Sequence, residues 1–145
     1  MYDRRVTATG NGRAADAYRA SQVQTATPLG LIVMLYDGAL SFLSQAEKAA
    51  RSGDWGEAQG FIRRSQDVVY ELMGCLDMER GGRLAVDLFR LYEYMGYRLV
   101  QAQIRRDAGP LAEVRGHLSS LREAWVEAEK KIRSEAKGER RSAVL

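Results

Sequence analysis

The stretch PLAEVRGHLSSLREAWVEAEKKIRS, residues 110–134, carries the most regular hydrophobic repeat in the chain. Its apolar residues alternate at spacings of three and four: Leu111, Val114, Leu118, Leu121, Trp125, Ala128 and Ile132. These spacings put side chains on one face of an α-helix. A stripe of this width is typical of a coiled-coil-like seam in a bundle. The repeat therefore predicts a helix over residues 110–134 that packs against other helices.

Three further amphipathic helices are predicted upstream of this repeat. Their apolar positions, again three and four residues apart, cover residues 28–52, 54–77 and 84–107. Gly81-Gly82 predicts a loop between the second and third helices. Four long helices joined by short turns bury their apolar faces best in an all-α fold, an antiparallel up-down four-helix bundle.

Two of the predicted helix starts carry recognisable capping signals. The first is Thr27-Pro28, where the threonine hydroxyl can accept from a free backbone amide and proline fits the first helical turn. The second is Asp54 with Glu57 three residues later, which is the pattern of a capping box. We expect helices to begin at these two sites.

Both ends of the chain lie outside the predicted bundle, which is assigned to residues 17–136. Residues 1–16 contain almost no large apolar side chain, so they predict a flexible N-terminal arm. Residues 137–145 predict a frayed basic tail, because apolar anchors are missing after residue 134 until the last two residues. Bases and acids alternate from Lys130 onwards, so no basic amphipathic face with aromatic anchors is predicted.

Composition favours a single soluble domain. The chain has 145 residues, 46% hydrophobic and 28% charged, with a net charge of +3. Its one cysteine, Cys75, cannot form an internal disulfide and is interpreted as a small core residue. The N-terminus has no signal-like apolar segment, so a cytoplasmic protein without membrane insertion is expected.

Residues that could support catalysis or metal binding are scarce. His117 is the only histidine, and a bundle di-iron site would need two Glu-x-x-His pairs. Neighbouring serines on the same helix cannot converge with His117 on one substrate. The sequence therefore predicts no catalytic residues, no metal, no cofactor and no small-molecule substrate. His117 itself is interpreted as a solvated surface residue.

The tyrosines of the third helix point instead towards an interaction protein. Tyr92, Tyr94 and Tyr97 are two and three residues apart, so they cannot all lie on one buried face. At least one ring is therefore expected to face solvent or a partner.

Several short segments resemble the FliS family of flagellin chaperones, in the family's order and roughly its spacing. They are Ala17-Tyr18, Thr25-Ala26-Thr27-Pro28, Met34-Leu35-Tyr36-Asp37-Gly38-Ala39, Leu76-Asp77, Gly81-Gly82, Leu91-Tyr92-Glu93-Tyr94-Met95 and Leu121-Arg122-Glu123-Ala124-Trp125. The resemblance covers about residues 17–128. Five or more separated segments that fall in order on four predicted helices are hard to obtain by chance.

The resemblance implies a cytoplasmic bundle that binds the C-terminal segment of newly made flagellin, prevents premature filament assembly and delivers flagellin to the export-gate protein. It implies that Tyr18 lies in an N-terminal segment that covers the bundle and takes part in docking on the export gate. Weak homodimerisation is expected when no flagellin is bound. We predict a flagellin-binding groove at Met34, Leu35, Tyr36, Leu72, Leu76, Tyr92, Tyr94, Met95, Leu99 and Trp125.

A regulatory helical bundle that binds nucleic acid through its basic tail is the alternative. It predicts salt-sensitive binding that is lost when residues 130–145 are removed. The near balance of 22 basic and 19 acidic residues makes nucleic-acid binding the weaker hypothesis.

Overall fold

The structure, a computed structural model, describes the backbone of residues 27–144 and the side chains of residues 27–140. These residues form four helices: α1 (Pro28–Arg51), α2 (Trp55–Gly74), α3 (Met78–Arg105) and α4 (Gly109–Val144). The predicted arm at residues 1–16 and Tyr18 lie outside the described residues. Helix α1 packs against α2 and α4, and α3 packs against the same two helices. The predicted all-α four-helix bundle is confirmed.

Polar contacts between α1 and α4 show that these helices run antiparallel. Glu47, near the end of α1, accepts from Arg115 Nε at 2.8 Å. Asp37, in the middle of α1, pairs with Arg122 further along α4. At the start of α1, the hydroxyl of Thr27 donates to Glu129 at 3.2 Å. Later residues of α1 therefore contact earlier residues of α4, so the two helices run in opposite directions.

The core lies along the axis of the bundle and takes apolar side chains from all four helices. Its largest fully buried members are Tyr36, Tyr92, Leu43, Leu72, Met95, Leu99, Leu111, Leu118, Val69 and Val114. Full burial of a valine, leucine or methionine contributes about 1.5–3 kcal/mol relative to exposure. These ten side chains therefore hold the helices together more strongly than the polar contacts at the surface.

Both predicted helix starts are confirmed, and Thr27 and Asp54 cap them. The amide of Gly30 donates to the Thr27 hydroxyl at 3.0 Å, with proline at the first helical position of α1. The amide of Glu57 donates to Asp54 Oδ1 at 3.0 Å. Each side chain satisfies a backbone donor that lacks a partner in the first turn of its helix.

The predicted Gly81-Gly82 loop is wrong, because these glycines form a break inside α3. The connection lies earlier, after Gly74, and Asp77 caps the new helix by accepting from the amides of Glu79 and Arg80. Gly82 interrupts the helix with φ of 52° and ψ of −128°, a conformation that favours glycine. Helix α2 therefore ends three residues before its predicted end, and α3 begins six residues before its predicted start.

Helix α4 continues to Val144, ten residues beyond the predicted end at residue 134. The predicted frayed tail is therefore helical up to that residue. Lys, Arg, Glu and Ala, which favour helix, make up most of this extension. Arg133 also pairs with Glu129, one turn earlier, at 2.7 Å. These local effects sustain the helix where apolar anchors are missing.

Among the helices of residues 27–144, α1 is long and apolar enough to cross a bilayer by length and composition alone. Core helices of soluble proteins also meet this criterion. Tyr36, Ala39 and Leu43 of α1 have no exposed surface because they pack into the bundle core. Helix α1 therefore forms part of the core of the bundle.

Candidate protein-binding site

An apolar pocket of about 220 Å³ opens at the end of the bundle where α1 and α3 begin and α2 ends. We call it the Trp125 pocket. Its lining residues are Leu29, Ile32, Leu72, Cys75, Leu76, Asp77, Gly81, Leu84, Ala85, Leu88, Tyr92 and Trp125. All four helices or their connections contribute to it, and most of the lining side chains are apolar. It has the composition of a site for apolar side chains of a partner.

The rim of the Trp125 pocket carries exposed apolar surface. Leu84, one of the lining residues, is 63% exposed, and Met78, which follows the lining residue Asp77, is 46% exposed. The break directs the first turn of α3 away from a straight helical path, and a Cβ on Gly81 would come within 2.6 Å of the Ala85 side chain. The two glycines therefore shape this side of the pocket.

Three aromatic residues from three helices meet beside the pocket and share two hydrogen bonds. Trp125 Nε1 donates to the hydroxyl of Tyr36 at 3.0 Å. The hydroxyls of Tyr36 and Tyr92 form a second hydrogen bond. Burial raises the pKa of both tyrosines above the ordinary value of 10.0, because an ionised phenolate would be poorly solvated there. Both hydroxyls therefore stay protonated at neutral pH and act as hydrogen-bonding groups.

The ten predicted groove residues do not lie at one surface. Leu72, Leu76, Tyr92 and Trp125 line the Trp125 pocket. Tyr36 is fully buried behind it, and Met95 and Leu99 are core residues without exposed surface. Met34 and Leu35 are partly buried on α1. The remaining residue, Tyr94, lies on another face of α3.

Tyr94 belongs to a polar network between α3 and α4. Its hydroxyl donates to Glu113 Oε2 at 2.5 Å, and Arg98 Nε donates to Glu113 Oε1 at 2.9 Å. These two hydrogen bonds hold the pKa of the Glu113 carboxyl below its ordinary value. His117 Nε2 lies 3.3 Å from the same carboxylate and is partly exposed. Among the described residues, no group of three His, Cys, Asp or Glu could hold a metal ion.

The tyrosine pattern of α3 gave a correct prediction. Tyr92 is buried, whereas Tyr94 is 42% and Tyr97 is 58% exposed. At the start of α3, Ala85 and Tyr92 are buried, whereas Leu84 is exposed and Leu91 is only partly buried. Two neighbouring residues of the helix, Leu84 and Ala85, thus lie at the pocket rim and in a buried position.

Sequence reasoning missed several pocket residues. Leu29 and Ile32 belong to the first turns of α1, and Leu88 lies among core positions of α3, so their periodicity indicates only a buried face. Cys75, interpreted as a core residue, is exposed because it caps the end of α2. The Asp77 cap was the one sequence signal that could have located this connection.

Known proteins resemble this chain over most of its length. A family model described as Flagellar protein FliS matches residues 11–132. The Flagellar secretion chaperone FliS of Bacillus subtilis (strain 168) is 39% identical over 121 residues, which cover 83% of this chain and 87% of that protein. The Flagellar secretion chaperone FliS of Salmonella typhimurium is 39% identical over 120 residues, 82% of this chain and 89% of its own.

A third relative, from Campylobacter jejuni, carries the same name and is 34% identical over 117 residues, 81% of this chain and 91% of that protein. The segments that suggested the resemblance fall within the matched residues, and they lie on the helices described above from Thr27 onwards. The chain therefore belongs to the FliS family of flagellar proteins, and the relatives it matches are flagellar secretion chaperones.

Proposed function

We propose that this protein is a cytoplasmic export chaperone that binds the C-terminal segment of flagellin, prevents its premature polymerisation and delivers it to the flagellar type III export gate. Membership of the FliS family, together with the names of its relatives, is the observation that carries the proposal. Each relative is named a secretion chaperone, so a protein cargo is the expected partner.

The apolar Trp125 pocket favours the binding of a cargo segment that has an amphipathic face. An amphipathic helix binds by inserting apolar side chains, one or two turns apart, into an apolar groove. Leu84, a lining residue that is 63% exposed, extends the apolar surface beyond the pocket itself. A filament-forming segment that bound here would hide the face through which it meets other flagellins.

The cargo must also be released at the export gate. A segment that folds only on binding loses about 2–5 kcal/mol of its interaction energy to ordering. A large interface can therefore remain reversible, because buried area does not convert directly into affinity. Without cargo, the exposed apolar rim favours weak homodimerisation.

The resemblance also assigns Tyr18 a part in docking the loaded chaperone on the export gate. Thr27, the first described residue, lies beside Glu129 of α4 at the pocket end of the bundle. The segment that contains Tyr18 therefore joins the bundle at the same end as the proposed cargo site. We propose that docking and cargo binding use neighbouring surfaces.

Calorimetric titration with the flagellin of the same organism tests the proposed function. Full-length flagellin is expected to form a one-to-one complex, and flagellin that lacks its C-terminal helix is expected not to bind. An unchanged complex with the truncated flagellin would refute a C-terminal binding segment. Failure of both forms to bind would refute the chaperone function.

A further inference from the structure

The last part of α4, residues 130–144, forms a helical extension that we call the α4 projection. Thr27 at the start of α1 contacts Glu129, and α4 runs antiparallel to α1, so the projection extends past the first residue of α1. Every side chain from residue 130 to residue 140 is exposed. The family match ends at residue 132, so nearly all of the projection lies beyond it.

Most of the positive charge of the chain lies on the projection. Residues 130–145 contain six Lys or Arg and two Glu, a net charge of +4 against +3 for the whole chain. The first 129 residues therefore sum to −1. The sequence alone predicted alternating charges without a basic amphipathic face that carries aromatic anchors.

The helix brings four of the six basic residues to one side. Lys130, Arg133, Lys137 and Arg140 recur at spacings of three, four and three, so they share one side, which we call the basic stripe. At a rise of 1.5 Å per residue the basic stripe is about 15 Å long. Glu135 lies two positions from both Arg133 and Lys137, which puts it on the opposite side of the helix.

The outer half of the basic stripe has charge available for a partner. Lys130 pairs with Glu127 at 3.6 Å and Arg133 with Glu129 at 2.7 Å, both near the bundle. Lys137 and Arg140, further out, make no ion pair with any side chain that the structure describes. The charge is therefore least compensated where the projection is furthest from the bundle.

We propose that the basic stripe is a docking surface for the anionic face of a lipid membrane. A planar surface touches a helix along one side only, so the stripe can contact lipid headgroups while Glu135 faces away. Ile132, the one large apolar side chain between residues 130 and 140, is 53% exposed, and no aromatic residue accompanies it. Binding should therefore be peripheral and electrostatic, without insertion.

Nucleic acid fits the projection less well. A groove of duplex DNA encloses a helix on its flanks, where the acidic side would approach phosphates. The projection also has no aromatic residue on which bases could stack. The choice of a membrane rests on the proposed function, because secretion takes place at a membrane; the charge pattern stands independently of it.

Cosedimentation of the full chain with lipid vesicles tests the proposal. The protein is expected to bind vesicles of phosphatidylcholine and phosphatidylglycerol at low ionic strength and to dissociate in high salt. It is expected not to bind vesicles of phosphatidylcholine alone. Each basic residue held near an anionic surface should strengthen binding about fivefold.

Two charge reversals on the same helix provide a matched comparison. Lys137→Glu changes the stripe by two charges and should weaken vesicle binding about thirtyfold. Lys131→Glu makes the same charge change away from the stripe, because Lys131 is two positions from Arg133. This variant should weaken vesicle binding less than about fivefold. Equal losses in the two variants, or no binding by the unaltered protein, would refute the proposal.

Two controls separate this proposal from its alternatives. Tighter binding to duplex DNA or to poly-glutamate than to anionic vesicles would replace the membrane by a soluble polyanion and overturn the proposal. Flagellin binding, measured on the same variants, should be unchanged by Lys137→Glu. A preparation that binds vesicles but not flagellin would contradict the proposed function while leaving the membrane surface supported.

Discussion

Tyr36 occupies the central position among the three aromatic residues beside the Trp125 pocket. Its hydroxyl contacts both the indole N–H of Trp125 and the hydroxyl of Tyr92. A buried polar group that loses all its partners destabilises the fold. The Tyr36 hydroxyl has two partners, whereas the Tyr92 hydroxyl and Trp125 Nε1 each have only Tyr36.

This inequality predicts different costs for two conservative substitutions. Tyr36→Phe removes the hydroxyl that both Trp125 Nε1 and the Tyr92 hydroxyl contact. It should lower the free energy of unfolding by about 1–3 kcal/mol. Tyr92→Phe leaves the Trp125–Tyr36 hydrogen bond in place and should cost about 0.5–1.5 kcal/mol. Denaturant unfolding measures both. A larger cost for Tyr92→Phe would contradict the described hydrogen bonds.

The hydrogen bonds of Glu113 predict how the free energy of unfolding should change at acidic pH. Its hydrogen bonds with Tyr94 and Arg98 lower the pKa of the folded-state carboxyl below the ordinary value of 4.5. A lowered pKa gives stability that is present above pH 4.5 and is lost as the pH falls through the folded-state pKa. Glu113→Gln should therefore be less stable at neutral pH but lose less stability on acidification.

Urea unfolding of both proteins across the acidic range measures this difference. The matched control is Glu93→Gln, an exposed residue of the same helix as Tyr94. It should leave the acid dependence close to that of the unaltered protein. Parallel acid profiles for Glu113→Gln and the unaltered protein would show that the network does not depend on the Glu113 charge.

At the scale of single residues, the sequence predicted that the three tyrosines of α3 differ in exposure, but not which of its apolar residues are buried. The spacing of the three tyrosines correctly required one of them to face outward. Periodicity could not separate Met95, which is fully buried, from Leu84, which is 63% exposed at the pocket rim. Both occupy the apolar side of α3, and only the packing of neighbouring helices distinguishes them.

Among the structural elements, the break in α3 has the clearest local cause. Gly82 has a positive φ, and Asp77 caps a single helical turn before it. The sequence contained both signals, a glycine pair and an aspartate before Met78, but a glycine pair also fits an ordinary loop. The extension of α4 was missed for a different reason, since helix propensity and local ion pairs can sustain a helix without a buried face.

Two glycine substitutions test the break. Gly82→Ala puts a Cβ on a backbone with φ of 52° and should cost about 1–3 kcal/mol of stability. Gly60→Ala, in an exposed and open position within α2, should stabilise by about 0.5–1 kcal/mol because alanine favours helix. Thermal and denaturant unfolding measure both changes. A Gly82→Ala variant as stable as Gly60→Ala would contradict the break.

For the whole molecule, the bundle was predictable because four amphipathic helices with short connections leave few other ways to bury their apolar faces. The pocket was not predictable, because it depends on where the ends of α1, α2 and α3 meet beside α4. The pocket opens at one end of the bundle, beside the start of α1 and the α4 projection. The proposed cargo site and the proposed membrane-docking surface therefore lie at the same end.

We propose that the Trp125 pocket is the cargo site, and calorimetric titration of flagellin into two matched variants of α3 tests this assignment. Leu84→Asp puts a charge on the pocket rim and should weaken binding at least about tenfold, since it adds a desolvation cost at an apolar contact. Ile104→Asp makes the same change at the other end of α3, where the side chain is 76% exposed, and should bind as the unaltered protein does. Unchanged binding by Leu84→Asp, or equal losses in both variants, would contradict the assignment of the cargo site to the Trp125 pocket.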